Sequence, residues 1–301
     1  MKPRASPDLN PSPQFPASFA GRWPETLVPA NSPPSMDILL APSRTPSRRP
    51  ALVDRVLAGG QAASGYVLRL ATNPADVRAA QTLRFTVFNL ELNEGLAVSF
   101  STGFDADRFD AVCDHLLVCV EATGEVIGTY RLQSGTQASV HHGYYSAQEF
   151  DFTPYEPIRT ELVELGRACV HAGHRNRTVL GLLWKGIANY ARARGGRYLI
   201  GCSSLTSQNP ADGAAMLAAF TPRHLAPETH RTTPLSAVAC PLDHATMQPP
   251  RVPKLLAAYL SLGAKICGAP AIDREFQTID FLTLLDLDGL SAHTVERYLG
   301  S

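Results

Sequence analysis

The sequence predicts an α/β (α+β) fold, a mixed central sheet with helices on both faces. Three observations carry this expectation. Strand-like and helix-like segments alternate along residues 66–299, the pattern of a sheet layered with helices. One early pair of strand-like runs, residues 116–121 and 126–133, is joined by the short turn ATGE, which reads as a hairpin. Apolar residues make up 45% and charged residues 18%, a globular composition.

Residues 66–71 (YVLRLA) alternate and read as the first strand. Asn73 and Pro74 then offer an N-cap and a first helical position. Val77, Ala80, Leu83, Val87 and Leu90 follow near helical spacing, so a helix carries Arg84 and Phe88. Residues 95–114 form an acidic, aromatic loop before the hairpin, and residues 134–160 are irregular. Residues 161–170 read as a strand interrupted near Gly166. A helix over 178–194 places Val179, Leu182, Leu183, Ile187 and Tyr190 on one face, and 197–202 is the next strand. Further helices are expected over 210–220, over 252–262 closed by Gly263, and over 291–299 capped by Ser291. Strands are expected over 264–267 and 280–285.

Twelve of the 24 prolines fall in the first 50 residues, so residues 1–60 are expected to be a disordered Pro/Ser-rich tail. The segment lacks the apolar core of a secretory signal, and no run of about 18 apolar residues predicts a membrane span. The folded unit is expected over 66–299, with a C-terminal extension from about residue 221. Lys+Arg and Asp+Glu both number 27, so no basic excess favours nucleic acid as a partner. The six cysteines form no CxxC pair and read as reduced, buried thiols.

The run with most chemical content is 164–186, ELGRACVHAGHRNRTVLGLLWKG. A strand ends near Val170, an Arg-rich turn follows, and a helix begins. That order sets free amides and the positive helix end at one spot, which suits a phosphate. It lacks GxxxxGK[ST] and GxGxxG, so it is neither a P-loop nor a Rossmann turn.

This run resembles the acyl-donor motif of the GNAT acyltransferase superfamily, with Arg175 and Arg177 retained and the family's glycines replaced by Thr178 and Leu180. The runs LRFTVFNLE (83–91), DRFDAVCDHLLV (107–118), GTYRL (128–132), ELGRACVH (164–171), LLWKGIANY (182–190) and YLIGCSSL (198–205) resemble the ornithine–acyl-carrier-protein N-acyltransferases. So do HLAP (224–227) and residues 255–285. Acyl-homoserine-lactone synthases are more distantly similar. The resemblance implies a GNAT-like fold and transfer of a 3-hydroxyacyl chain to the α-amino group of ornithine, the first step of ornithine-lipid synthesis. It implies acyl carrier protein as partner, acyl-ACP or acyl-CoA as co-substrate, no tightly bound cofactor, and an amino-acid substrate. A cytoplasmic enzyme, peripheral to the inner face of a membrane, is then expected. The alternatives are another amine acceptor such as glycine, glutamine or a homoserine precursor, and a GNAT-shaped binding protein without activity.

Amide formation from a thioester needs a deprotonated amine, a donor for the developing oxyanion, a seat for the pantetheine arm and a cation for the amino-acid carboxylate. Glu164, on the strand entering the phosphate turn, is the candidate base or ammonium anchor; its structural alternative is an ion pair with Arg167. Arg84, Arg131 and Arg167 come from three elements and, if they converge, can clamp a carboxylate. Asp110 and Asp114 are the candidates for holding substrate amino groups, ahead of Asp107. His115 is a further substrate-site candidate, read first as a partner of Asp114 and second as a base. Val170, Arg175, Arg177, Thr178, Val179 and Leu180 are the expected acyl-donor residues. His171 and His174 lack a third ligand at helix spacing, so no metal is expected. Phe85, Phe88, Trp184 and Tyr190 read as core or as the wall of an acyl tunnel.

Overall fold

The computed structural model describes residues 61–298. The predicted tail and the last residue of the predicted final helix lie outside that range. The strands are β1 (Gln61–Ala63), β2 (Tyr66–Leu70), β3 (Asp114–Val120), β4 (Val126–Ser134), β5 (Leu162–Val170), β6 (Tyr198–Leu205), β7 (Lys265–Ile266), β8 (Ala271–Asp273) and β9 (Thr278–Asp286). The helices are α1 (Pro74–Arg84), α2 (Ser99–Thr102), α3 (Gly135–Val140), α4 (Arg177–Ala193), α5 (Pro210–His224), α6 (Lys254–Ser261) and α7 (Ala292–Tyr298). They build one mixed sheet in the order β1-β2-β3-β4-β5-β6-β9-β7, with β8 also on β9. The β5–β6 pair is parallel and the other strand pairs are antiparallel.

Helix α4 packs Val179, Leu182, Leu183, Trp184, Ile187 and Tyr190 onto Leu68, Leu116, Val118, Leu132, Val163 and Leu165. Gly186 lets it come close, because a Cβ there would press on Leu68 and Leu116. The predicted helix carrying Arg84 begins at the expected cap, where Asn73 Oδ1 accepts from the Asp76 amide at 3.0 Å. It then loosens into wider π-type turns over Phe85–Glu91. Its Leu83 and Val87 bury against Cys169, on the sheet face opposite α4. Helices thus cover both faces, as the sequence predicts.

Two predicted loops contain structure. Residues 95–114 hold α2 and a turn at Arg108–Ala111, where Asp107 and Asp110 cap reciprocally. Residues 134–160 hold α3, opened by a capping box between Ser134 and Gln137. That S-x-x-Q signature is present in the sequence but precedes only six helical residues, too few for a period to show. β1 and β8, at three residues each, are likewise too short for alternation to declare. Residues after Phe220 supply three strands of the sheet, β7, β8 and β9, and β9 pairs along all of β6, from Tyr198↔Asp286 to Leu205↔Ile279.

Two departures from regular pairing shape the sheet centre. β5 carries one extra residue opposite Thr129–Arg131, and Arg167 takes φ +50° there, so the expected interruption falls one residue after Gly166. β5 and β6 pair only over Leu162–Glu164 and Tyr198–Ile200, then part. At the parting, a side chain on Gly201 would collide with the Leu165 carbonyl.

Arg69 and Asp76 tie β2 to α1 through two 2.7 Å hydrogen bonds. The Arg69 guanidinium lowers the Asp76 carboxyl from 3.8 to about 2. A depressed carboxylate stabilises the fold above its unfolded value and loses that contribution as pH falls from about 4 to 2. Asp76→Asn should therefore flatten the acid limb of the stability curve. It should lower Tm at pH 7 by roughly 2–4 °C, about 1 kcal/mol for a partly exposed pair in a chain of this size. Thermal melts from pH 7 down to 2 check this; an unchanged acid limb would remove Asp76 as a contributor.

Candidate active site

The three arginines converge. Arg84, fully buried on α1, donates from Nε to Asp105 Oδ1 at 2.7 Å and from Nη2 to Asp110 Oδ2 at 2.6 Å. Arg131 on β4 donates from Nη1 to Asp107 Oδ1 at 2.6 Å and to Asp110 Oδ1 at 3.0 Å. Arg167, turned by the bulge, lies 3.4 Å from Asp107 Oδ2 and 3.7 Å from Asp105 Oδ2. The 105–110 loop therefore meets the chain's own three guanidinium groups. Burial opposes the charge on Asp110, but Arg84 and Arg131 outweigh it and hold its carboxyl well below the usual range.

The members of this network differ in spare capacity. Arg84 makes three short bonds from Nε and Nη2 to Asp105 and Asp110, while its Nη1 is buried without a hydrogen-bond partner. Arg167 has only long contacts, and its Nε is buried without a hydrogen-bond partner. Its guanidinium stacks 4.1 Å over the Phe276 ring and 5.4 Å from the Tyr145 ring, while Arg131 lies 5.1 Å from Tyr145 on its own side.

Glu164 is buried, and its carboxylate accepts from the amides of Tyr145 and Ser146, both at 2.8 Å. The ion pair with Arg167 does not form; Arg167 is within ion-pair range of Asp105 and Asp107 instead. Burial raises the Glu164 carboxyl, partly offset by the two amides.

Asp114 stands apart from Asp110. It opens β3 opposite Leu132 and so shares the α4 face, where it accepts from Tyr190 Oη at 2.7 Å and Arg194 Nη2 at 3.0 Å. His115 lies opposite Arg131 and faces the arginine network. It donates from Nε2 to the Asp110 carbonyl at 3.0 Å, so its partner is Asp110 and not Asp114. Burial lowers its pKa, which favours the neutral ring.

At the predicted phosphate turn, Asn176 caps α4 by accepting from the Val179 amide at 3.0 Å, and the amides of Arg177 and Thr178 open the helix. Arg177 and Arg175 are exposed; Arg175 is paired with Glu91 and donates from Nε to the Val170 carbonyl at 3.0 Å. Leu180 is half-exposed, Thr178 is partly buried, and the Val179 side chain belongs to the core. His174 contacts Tyr66 Oη, and His171 accepts from the Gly173 amide. Trp184 and Tyr190 are core residues, whereas Phe85 and Phe88 are half-buried. None of the six cysteines is in a disulfide, and burial pushes Cys113 and Cys169 up to about 12, away from thiolate chemistry.

One group was not singled out from sequence. Glu149, Cys202 and Asp280 each present a ligand-type atom within 4.8 Å of the others. Glu149 lay in a segment without period, and Asp280 is one acid in an apolar strand, TIDFLTLL, its only local signal.

Comparison with known proteins places the chain in a family. Residues 83–185 match the family model described as an acetyltransferase (GNAT) domain. The L-ornithine N(alpha)-acyltransferase of Rhodobacter capsulatus is 33% identical over 245 residues, covering 77% of this chain and 94% of the relative. The enzyme of that name from Brucella abortus is 32% identical over 246 residues, with 77% and 88% covered. The crystal structure of the AHL synthase LasI shares 13% identity over 79% of this chain and 97% of its own, at a TM-score of 0.47. The chain is an acyltransferase with a GNAT domain and belongs to the L-ornithine N(alpha)-acyltransferase family.

Proposed function

We propose that the chain transfers a 3-hydroxyacyl group from the phosphopantetheine thioester of acyl carrier protein to the α-amino group of L-ornithine, the first step of ornithine-lipid synthesis. Acyl-CoA is the alternative donor. The observation that carries the reading is the parting of β5 and β6 after Glu164. It leaves the β5 edge free between the arginine network and the open end of α4. An extended pantetheine arm can lie along such an edge, with its phosphate at the helix amides.

Arg167 is assigned to the amino-acid carboxylate, because its aspartate contacts are all long, 3.4 and 3.7 Å, whereas Arg84 and Arg131 each hold aspartates at 2.6–3.0 Å. Glu164 is assigned as a positioning residue, since its oxygens hold the Tyr145–Ser146 backbone. The neutral amine attacks the thioester carbon, the C–N bond forms, and the C–S bond breaks to release the pantetheine thiolate. The amine proton leaves and the thiolate is protonated. No acyl-enzyme is formed. Incubation with donor alone should leave the intact mass of the chain unchanged, and an acyl adduct on cysteine or serine would contradict direct attack.

Arg175→Ala and Arg177→Ala should weaken donor binding roughly threefold to tenfold, the worth of an exposed charge at a phosphate. Titration with acyl carrier protein checks this, and unaltered affinity in both variants would move the phosphate site elsewhere. No described helix is long and apolar enough to cross a membrane. Exposed Leu90, Val98 and Phe100 offer apolar surface for peripheral contact at the inner face, where a lipid product would enter the bilayer. Lipid extraction from a host expressing the chain, with mass analysis for acyl-ornithine, tests the whole reading.

A further inference from the structure

The acid pair Glu149 and Asp280 is used by nothing described above. Glu149 follows the Ser146–Gln148 turn that Glu164 anchors, and Asp280 sits on β9 opposite Ser204, past the parting of β5 and β6. They are 7% and 5% exposed. Glu149 Oε2 and Asp280 Oδ1 are buried without any hydrogen-bond partner, and Glu149 Oε1 has only the Cys202 thiol at 3.9 Å. Neither acid has an ion-pair partner among the described residues. Burial raises both groups and neighbouring carboxylates add to it; Arg167 partly offsets this at Glu149, and the Ser204 and Thr278 side chains, then Arg167, partly offset it at Asp280. Buried carboxylate oxygens in that condition are short of a cation.

The chemistry of the site selects the kind of cation. Burial holds the Cys202 thiol far from ionisation, and no histidine joins the group, so two carboxylates are the only strong ligands. The charge of Arg167 acts on both acids and repels a divalent ion twice as strongly as a monovalent one. Leu282 and Phe150 lie in the adjoining apolar cluster, which suits the methylenes of an alkylammonium. The reacting amine must shed its proton, which a carboxylate pair resists, so the site suits an amine that stays charged.

We propose that Glu149 and Asp280 form the subsite for the side-chain ammonium of a diamino-acid acceptor, with Arg167 holding its carboxylate. This rests on the acceptor reading given above and adds to it the residues that select a second amino group. The site then works as a specificity filter: an acceptor without that ammonium leaves the acid pair buried and unpaired.

The test uses the purified full chain with acyl carrier protein thioester. The acceptors are ornithine, norvaline (the same skeleton without the side-chain amine) and Nδ-acetylornithine (the amine with its charge removed). Wild type should prefer ornithine over both. Glu149→Gln and Asp280→Asn, each isosteric, should lower the ornithine-to-norvaline ratio of kcat/KM roughly 10- to 100-fold, mainly through KM for ornithine. Wild type acylating norvaline or Nδ-acetylornithine as well as ornithine would overturn the subsite without any variant having to fold. An equal fall in kcat for ornithine and norvaline would make the pair part of proton transfer instead. Loss of activity to EDTA with recovery on zinc would make it a metal site. Failure of wild type to acylate ornithine, with another amine accepted, would overturn the acceptor reading and the subsite with it. Ornithine acylation with an unaltered ratio in folded variants would overturn the subsite alone.

Discussion

Arg84→Met is expected to destabilise the protein by about 3–5 kcal/mol, the cost of removing one partner from a buried ion-pair group. Arg84 is 0% exposed and bonds both Asp105 and Asp110, themselves 0% and 5% exposed. Its removal leaves two carboxylates without their main counter-charge, although Arg131 still reaches Asp110. For a chain of this size the loss corresponds to roughly 6–20 °C in Tm, which calorimetry resolves. Adding Asp105→Asn and Asp110→Asn should recover part of it, because the uncompensated charges go as well. A variant that melts within a degree of wild type would mean that the network is energetically idle. If Arg84 serves only to hold the 105–110 loop, activity should follow the folded fraction; if it binds substrate, KM for the amino acid should rise as well.

Glu164→Gln is expected to lower kcat roughly 10- to 150-fold, the kinetic equivalent of a lost charge-assisted hydrogen bond of about 1.5–3 kcal/mol. The amide that replaces one oxygen points a donor at a backbone N–H and releases the Tyr145–Glu149 segment. Donor affinity should persist, since the turn at Asn176–Thr178 makes no contact with Glu164 among its hydrogen bonds. The shape of the pH–rate profile separates the possible roles. A positioning Glu164 leaves the acid limb in place at reduced height, whereas a general base takes the limb with it. Unchanged turnover would remove Glu164 from the machinery altogether.

Much of the scaffold is legible where a single element carries its own signal. Asn73-Pro74 fixes the start of α1, and the apolar face of α4 is visible from Val179 to Tyr190. What sequence misses depends on parity and on distant pairing. Asp110 and Asp114 look alike in DRFDAVCD, yet Asp114 is the first residue of β3 and its side chain goes with Leu132 to the α4 face. Asp110, before the strand, bends back to Arg84 and Arg131. A one-residue difference in where a strand begins decides which face a side chain takes. The bulge is similar: Gly166 marks an irregularity, but the left-handed residue is Arg167, and that turn sends its guanidinium toward the 105–110 loop. Glu149 and Asp280 are 131 positions apart, and only the β6–β9 pairing and the Glu164-anchored loop bring them together, so no local pattern announces them.

The most direct measurement is the product formed by the purified chain from 3-hydroxyacyl carrier protein and L-ornithine, identified by mass together with the released carrier thiol. The account predicts Nα-acyl-ornithine in one-to-one proportion with free thiol, and no product when ornithine is left out. Folded protein that binds the acylated carrier but yields no acyl-ornithine, or that acylates a different amine in its place, would contradict it.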